Sequence, residues 1–306
     1  MTEPLNPRLN AYRDDLADIR LKGQVSAARF VDGIPAVVAV PLAPLHREPD
    51  HDAFLDTEAL FGERLLVFDE TSGPDGEPWA WVQLDDDGYV GYTPFAALER
   101  LGEETEASLP THRIAVPRTL LFPEPDIKRP PVADLPMGAL VTAVEEAEDR
   151  NARYHLLASG GAIVQQHATA LGKDVEDFVA VAERFLETPY LWGGKSALGI
   201  DCSGLVQLAC QMAGIDAPRD SGDQARELGT RIAGIEALQR GDLIFWPGHV
   251  GIMVDGRRII HANAHHMMTA IEPLNDALER LEKKGATLSA VRRLAAKVSE
   301  AGASED

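Results

Sequence analysis

A cysteine placed where a turn-rich loop gives way to an apolar helical run constrains this chain more than any other feature. Asp201-Cys202-Ser203-Gly204 is followed by Leu205, Val206, Leu208, Ala209 and Met212, and preceded by Trp192-Gly193-Gly194-Lys195-Ser196. A thiol in the first turn of a helix meets unpaired backbone N–H groups and the positive end of the helix dipole, and both favour the thiolate. Two histidines follow at the ends of strand-like runs. His249 opens His249-Val250-Gly251-Ile252-Met253-Val254, and His261 closes Arg258-Ile259-Ile260-His261. A sheet returning beside the helix start would assemble a nucleophile, a base and a group that orients the base. The chemistry expected is hydrolysis through a thiol. The second cysteine, Cys210, falls about two turns further along the same helix and is expected to be a small buried apolar residue.

The pattern around this motif divides the chain. Residues 1–24 read as a lead of mixed charge, helical over 9–21. From 25 to 101, short apolar runs such as Ala36-Val37-Val38-Ala39-Val40 and Trp79-Ala80-Trp81-Val82-Gln83-Leu84 are separated by Gly, Pro and Asp turns. That spacing fits a small β-barrel. Residues 108–168 repeat the texture and are expected to form a second barrel, after a polar linker over 102–107. Beyond 171 the period becomes helical, with Phe178, Val179, Val181, Ala182 and Phe185 on one face. The order helix, helix, sheet over 172–298 predicts an α+β, papain-like catalytic domain preceded by the two small β-barrels. Residues 299–306 read as a frayed tail.

Charge and composition exclude several classes. The chain of 306 residues has 29 basic and 49 acidic side chains, for a net charge of −20, and no Lys/Arg cluster interleaved with aromatics. Such a field repels phosphate polymers, so nucleic acid is not an expected partner. No apolar run approaches the length that spans a bilayer, and the first residues carry no apolar core followed by small residues, so the expected location is the cytoplasm. With two cysteines, one required as a free thiol, no structural disulfide is expected.

Six blocks in order carry a family resemblance: Thr188-Pro189-Tyr190-Leu191-Trp192-Gly193-Gly194, Asp201-Cys202-Ser203-Gly204-Leu205-Val206-Gln207, Pro218-Arg219-Asp220-Ser221, Gln239-Arg240-Gly241-Asp242-Leu243-Ile244-Phe245, His249-Val250-Gly251-Ile252 and Ile260-His261-Ala262. They resemble the NlpC-type cell-wall cysteine peptidases over about residues 172–298. The preceding residues are similar to the paired bacterial Src-homology-three domains of the cytosolic γ-D-glutamyl dipeptidyl-peptidase branch, through Leu60-Phe61-Gly62-Glu63 and Asp87-Gly88-Tyr89-Val90-Gly91-Tyr92.

The resemblance implies a catalytic set of Cys202, His249 and His261, with no cofactor and no metal. It implies a murein peptide substrate cut between γ-D-glutamate and the diamino acid, as in peptidoglycan peptide recycling. Tyr190, Asp201, Ser203, Asp220 and Ser221 match the branch's pocket for the dipeptide end, with Asp220 meeting the free α-amine. The branch's first barrel walls off the cleft so that only a free N-terminal L-alanine fits, which implicates Tyr89 and either Glu58 or Asp56. Tyr92 departs from the pattern by standing where many such barrels have Trp. Competing readings are an acyltransferase or amidase using the same thioester, a non-catalytic peptide-binding protein, and a zinc hydrolase drawing on Cys202, His249, His261, His265 and His266. The oligomeric state stays open.

Overall fold

The computed structural model describes residues 5–102 and 109–295. The linker expected over 102–107, apart from Gly102, and the tail over 299–306 lie outside the described residues. The chain divides into two compact units. Met1–Lys173 joins Thr188–Asp201 in the first, and Asp174–Glu187 joins Cys202–Asp306 in the second. The stretch just before Cys202, expected inside the 172–298 domain, therefore groups with the first unit. No helix among the described residues is long and apolar enough to cross a membrane.

In the first unit, seven strands pair into one sheet. Their order is Leu55–Leu60, Leu42–His46, Val90–Pro94, Pro78–Leu84, Arg64–Ser72, Ile34–Val38 and Leu98–Arg100. The apolar runs read from the sequence become its strands because alternate side chains enter one core of Val38, Leu45, Leu65, Val82, Leu84 and Tyr89. Residues 109–173 add three small sheets around a second core of Ile114, Leu135, Val141, Leu157 and Ile163.

The lead is a correction. Leu16–Asp18 is a strand parallel to Arg29–Val31, and only Ile19–Leu21 makes a turn of 3-10 helix. Tertiary packing overrides the weak helical pattern here. Leu16 and Ala11 are buried against Phe68, Trp81 and Val90, and Arg13 lies over the Trp81 ring at 4.3 Å while donating to Asp69 at 2.6 Å.

The second unit is α+β. Its six strands run antiparallel in the order Thr230–Arg231, Ala290–Arg293, Asp242–Trp246, His249–Met253, Arg258–Asn263 and Met268–Pro273. Helix α1 (Phe178–Glu183) starts where the Asp177 carboxylate caps the backbone N–H groups of Val179 and Ala180. Helix α2 (Cys202–Met212) is buried at every residue but Gln211, with its buried polar side chains Ser203 and Gln207 hydrogen-bonded to Arg219 and to the Ala217 carbonyl. It packs against α1 and against the His249–Met253 and Arg258–Asn263 strands. Helices α3 (Ser221–Glu227) and α4 (Leu274–Lys283) complete the unit.

Gly251 lets the two histidine strands close. A Cβ there would sit 2.6 Å from Ile259 Cδ1 and 3.1 Å from the Cβ of His261. Gly251→Ala is expected to cost about 1–3 kcal/mol of stability through overpacking, and to lower activity by shifting His261. Thermal unfolding and turnover of the same sample check both effects, and an unchanged melting point would contradict the tight approach.

Candidate active site

Cys202 is the first residue of α2 and keeps 7% of its surface exposed. Cys210, on the same helix, is fully buried, and burial pushes its thiol up to about 12. The helix start thus separates a thiol that can react from one held protonated.

His249 reaches its place through a two-residue hairpin. Trp246 pairs with His249 across Pro247-Gly248, with Gly248 at φ +71°, the sequence and backbone preference of a type II turn. The imidazole is half-buried and rests 5.6 Å, centroid to centroid, from the Trp246 ring at 34°. Its Nε2 lies 2.8 Å from His261 Nδ1. His261 is 1% exposed, and its Nε2 lies 2.8 Å from Glu272 Oε1. Arg280, on α4, donates to both carboxylate oxygens of Glu272, at 2.7 Å to Oε2.

Burial pushes the His249 imidazole down to about 3, aided by His261 and Arg280 and opposed by Glu272. His261 is also lowered, first by burial, although Glu272 pulls it upward. Burial would raise the Glu272 carboxyl, but hydrogen bonds from His261 and Arg280 outweigh it and hold the group at about 2. The assembly is therefore a neutral histidine pair ending on an ionised, doubly held carboxylate.

Other expected site residues have these places. In the second unit, Ser203 Oγ accepts from the buried Arg219 at 2.9 Å, and Gln224 Nε2 donates to Ser203 O at 2.9 Å. Asp220 is the residue before α3, where its backbone carbonyl accepts from Asp223 and Gln224, and Ser221 is the first residue of that helix. Both side chains are half-buried, and α3 packs against α2 and the His249–Met253 strand.

In the first unit, Asp201 Oδ2 accepts from the backbone N–H of Gly193 at 2.9 Å, and Tyr190 bridges to Ile200. Glu58 is 8% exposed and accepts from Lys195 N at 2.8 Å. Asp56 is paired with Arg47 at 2.6 Å. Tyr89 is fully buried within the sheet's core, so its ring is a packing element there. Tyr92, standing at the Trp position, accepts from Arg13 at 2.7 Å.

Sequence reading missed Glu272 and Arg280, which no motif marks. His261, His266 and Glu272 also bring possible metal-ligand atoms within 4.8 Å of one another. That set excludes Cys202 and His249, and its carboxylate is already held by a guanidinium cation.

A thiol opening a helix that packs on the antiparallel strands of two hydrogen-bonded histidines is an arrangement suited to a cysteine hydrolase. Comparison with known proteins agrees: the NlpC/P60 family profile matches residues 187–281, which hold Cys202, His249 and His261. The chain carries an NlpC/P60 domain over those residues. It is a hydrolase of the cysteine-peptidase type. A profile for the bacterial dipeptidyl-peptidase Sh3 domain matches residues 45–98, within the seven-stranded sheet.

Among curated proteins, the chain is 28% identical over 246 residues to dipeptidyl-peptidase 6 of Lysinibacillus sphaericus, covering 74% of this chain and 87% of that protein. It is 28% identical over 265 residues to the γ-D-glutamyl-L-lysine dipeptidyl-peptidase of Bacillus subtilis, covering 79% and 82%. A crystal structure of an NlpC/P60 family protein from Bacillus cereus superposes with a TM-score of 0.69 at 24% identity, covering 85% of this chain and 99% of that one. This last likeness speaks for the shared fold.

Proposed function

We propose that this NlpC/P60 hydrolase cuts the amide between γ-D-glutamate and the diamino acid of short murein peptides that begin with a free L-alanine, a specificity suited to peptidoglycan peptide recycling. The observation that carries the reading is the 2.8 Å contact between His249 Nε2 and His261 Nδ1 on strands packed against the helix that Cys202 opens. The substrate is supported by the names of the two curated relatives, one of them a γ-D-glutamyl-L-lysine dipeptidyl-peptidase.

In this mechanism His249, held neutral by burial, takes the proton of Cys202 as the thiolate attacks the amide carbonyl. The backbone N–H of Cys202, at the helix start, donates to the oxyanion that forms. The protonated His249 then delivers its proton to the leaving amine, and water attacks the thioester with His249 again as base. His261 holds the imidazole of His249 in place throughout. Asp220, with Ser221 beside it, supplies the carboxylate that pairs with the substrate's α-ammonium.

The test uses two peptides, L-Ala-γ-D-Glu-L-Lys and the same peptide acetylated at its amine, each followed by mass spectrometry. Only the free-amine peptide is expected to be cut, releasing L-Ala-D-Glu. Equal cleavage of both would reject the amine requirement, and failure to cut either these peptides or their diaminopimelate counterparts would reject the substrate.

A further inference from the structure

His261 does not end the chain of hydrogen bonds that begins at His249. Its Nε2 faces Glu272 Oε1 at 2.8 Å, in a place where His261 is 1% and Glu272 9% exposed. Glu272 lies on the Met268–Pro273 strand, opposite Ile259 and beside the strand of His261. Arg280 comes from α4, which packs on that strand, and grips both carboxylate oxygens. Among the described residues, the other charged or titratable groups acting on this set are His266, beside His261, His265, which feels Arg280 and Glu272, and Asp276, beside Arg280.

The donor and acceptor inventory fixes where every proton sits. An ionised carboxylate only accepts, so His261 must carry its proton on Nε2. A neutral imidazole has a single N–H, so His261 Nδ1 is an acceptor. His249 must then donate from Nε2 across the 2.8 Å contact, which leaves its Nδ1 with a lone pair. That lone pair is what a general base for Cys202 requires. Reversing the relay would place a proton on Nδ1 of both rings, and His249 could no longer accept from the thiol.

We infer that Glu272, clamped by Arg280, is a positioning residue that sets the tautomer of both histidines and so makes His249 Nδ1 the base. The inference rests on the peptidase reading of Cys202 and His249, though not on which peptide is cut. Holding the carboxyl at about 2 keeps Glu272 an acceptor at any pH where the enzyme would work. After proton transfer, its negative charge also stabilises the imidazolium on His249 through His261.

Glu272→Gln separates this role from simple packing. One amide orientation turns an N–H toward His261 Nε2 and forces the reversed tautomer; the other turns it against the Nη1 donor of Arg280. The expected result is a loss of kcat on the order of 10²-fold or more, as follows when an orienting carboxylate becomes an amide, with KM little changed and the melting temperature lowered by the lost charge pairing with Arg280. Glu272→Asp is expected to recover part of the loss, since it restores an acceptor.

The direct readout is nitrogen NMR of ¹⁵N-histidine-labelled protein. In the unmodified enzyme His249 and His261 are both expected to be protonated at Nε2 and bare at Nδ1, and in Glu272→Gln an Nδ1–H form is expected to appear. A proton on Nδ1 of either ring in the unmodified enzyme overturns the inference, as does a Glu272→Gln protein with unchanged tautomers and kcat within about threefold. Should the variant fail to fold, the unmodified enzyme's ring shifts still decide. These shifts need no substrate, so expected tautomers together with uncut lysine and diaminopimelate peptides would reject the substrate proposal and leave the relay standing.

Discussion

Replacing Cys202 with alanine is expected to remove peptidase activity, lowering kcat on the order of 10⁴-fold or more, while the fold survives. The effect is large because no second group can take over the covalent step. Cys210 is buried on the same helix with its thiol pushed up to about 12, so it stays protonated and out of reach. Iodoacetamide on the folded enzyme is therefore expected to leave one adduct, at Cys202, and to inactivate in step with its formation. Cys210→Ala should keep activity within a few-fold. The base adds a pH signature. Because burial holds His249 near 3, it loses its lone pair only in strong acid, so activity should persist at about pH 5, where an unshifted histidine would be mostly protonated. An active Cys202→Ala protein, or inactivation that follows alkylation of Cys210, would sink the assignment.

The parts of this site legible in the sequence are those set by local rules. Cys202 is announced by a turn-rich loop running into an apolar helix, and His249 by Pro247-Gly248 closing a hairpin in front of an apolar strand. Glu272 follows no such rule. Within Met268–Pro273 it reads as an ordinary polar residue, and only its cross-strand place next to the His261 strand makes it a relay partner. Arg280 sits on an amphipathic helix rich in charges, where nothing local separates it from its solvated neighbours. The lead was misread for a related reason. Its few apolar residues fit a helical face, yet Leu16 and Ala17 gain more by burial beside the sheet. The stretch before Cys202 falls inside the family match over residues 187–281, as its sequence neighbours lead one to expect, yet it groups with the first compact unit, where the buried Lys195 has its partners.

That lysine carries the second large effect. Lys195 Nζ lies 2.9 Å from Glu63 Oε1, with the two side chains 1% and 6% exposed, and Glu63 Oε2 also accepts from Leu60 N at 3.0 Å. The Lys195 backbone N–H donates to Glu58, so the Thr188–Asp201 stretch is tied to the Leu55–Leu60 strand by its main chain and to Glu63, in the turn that follows, by its side chain. Gly193 allows the same approach, since its φ is +78° and a Cβ there would stand 2.9 Å from Leu55 O. Lys195→Met removes the cation and strands the carboxylate, an effect worth about 3–5 kcal/mol for a buried pair, or a fall in melting temperature of roughly 10 °C. Burial already raises the Glu63 carboxyl above its ordinary range, opposed chiefly by Lys195. Without Lys195 it rises further, so the folded variant holds its proton more tightly than the unfolded chain does. Its stability must then fall as pH climbs through the window between the unfolded and folded values. Lys195→Met should therefore melt lower at about pH 8 than at about pH 5 by more than the unmodified protein does. Adding Glu63→Leu should restore much of the loss, because two apolar side chains leave no unpaired charge to desolvate. Single variants that melt like the parent, or a double variant no better than Lys195→Met alone, would show that the pair does not hold this stretch in place.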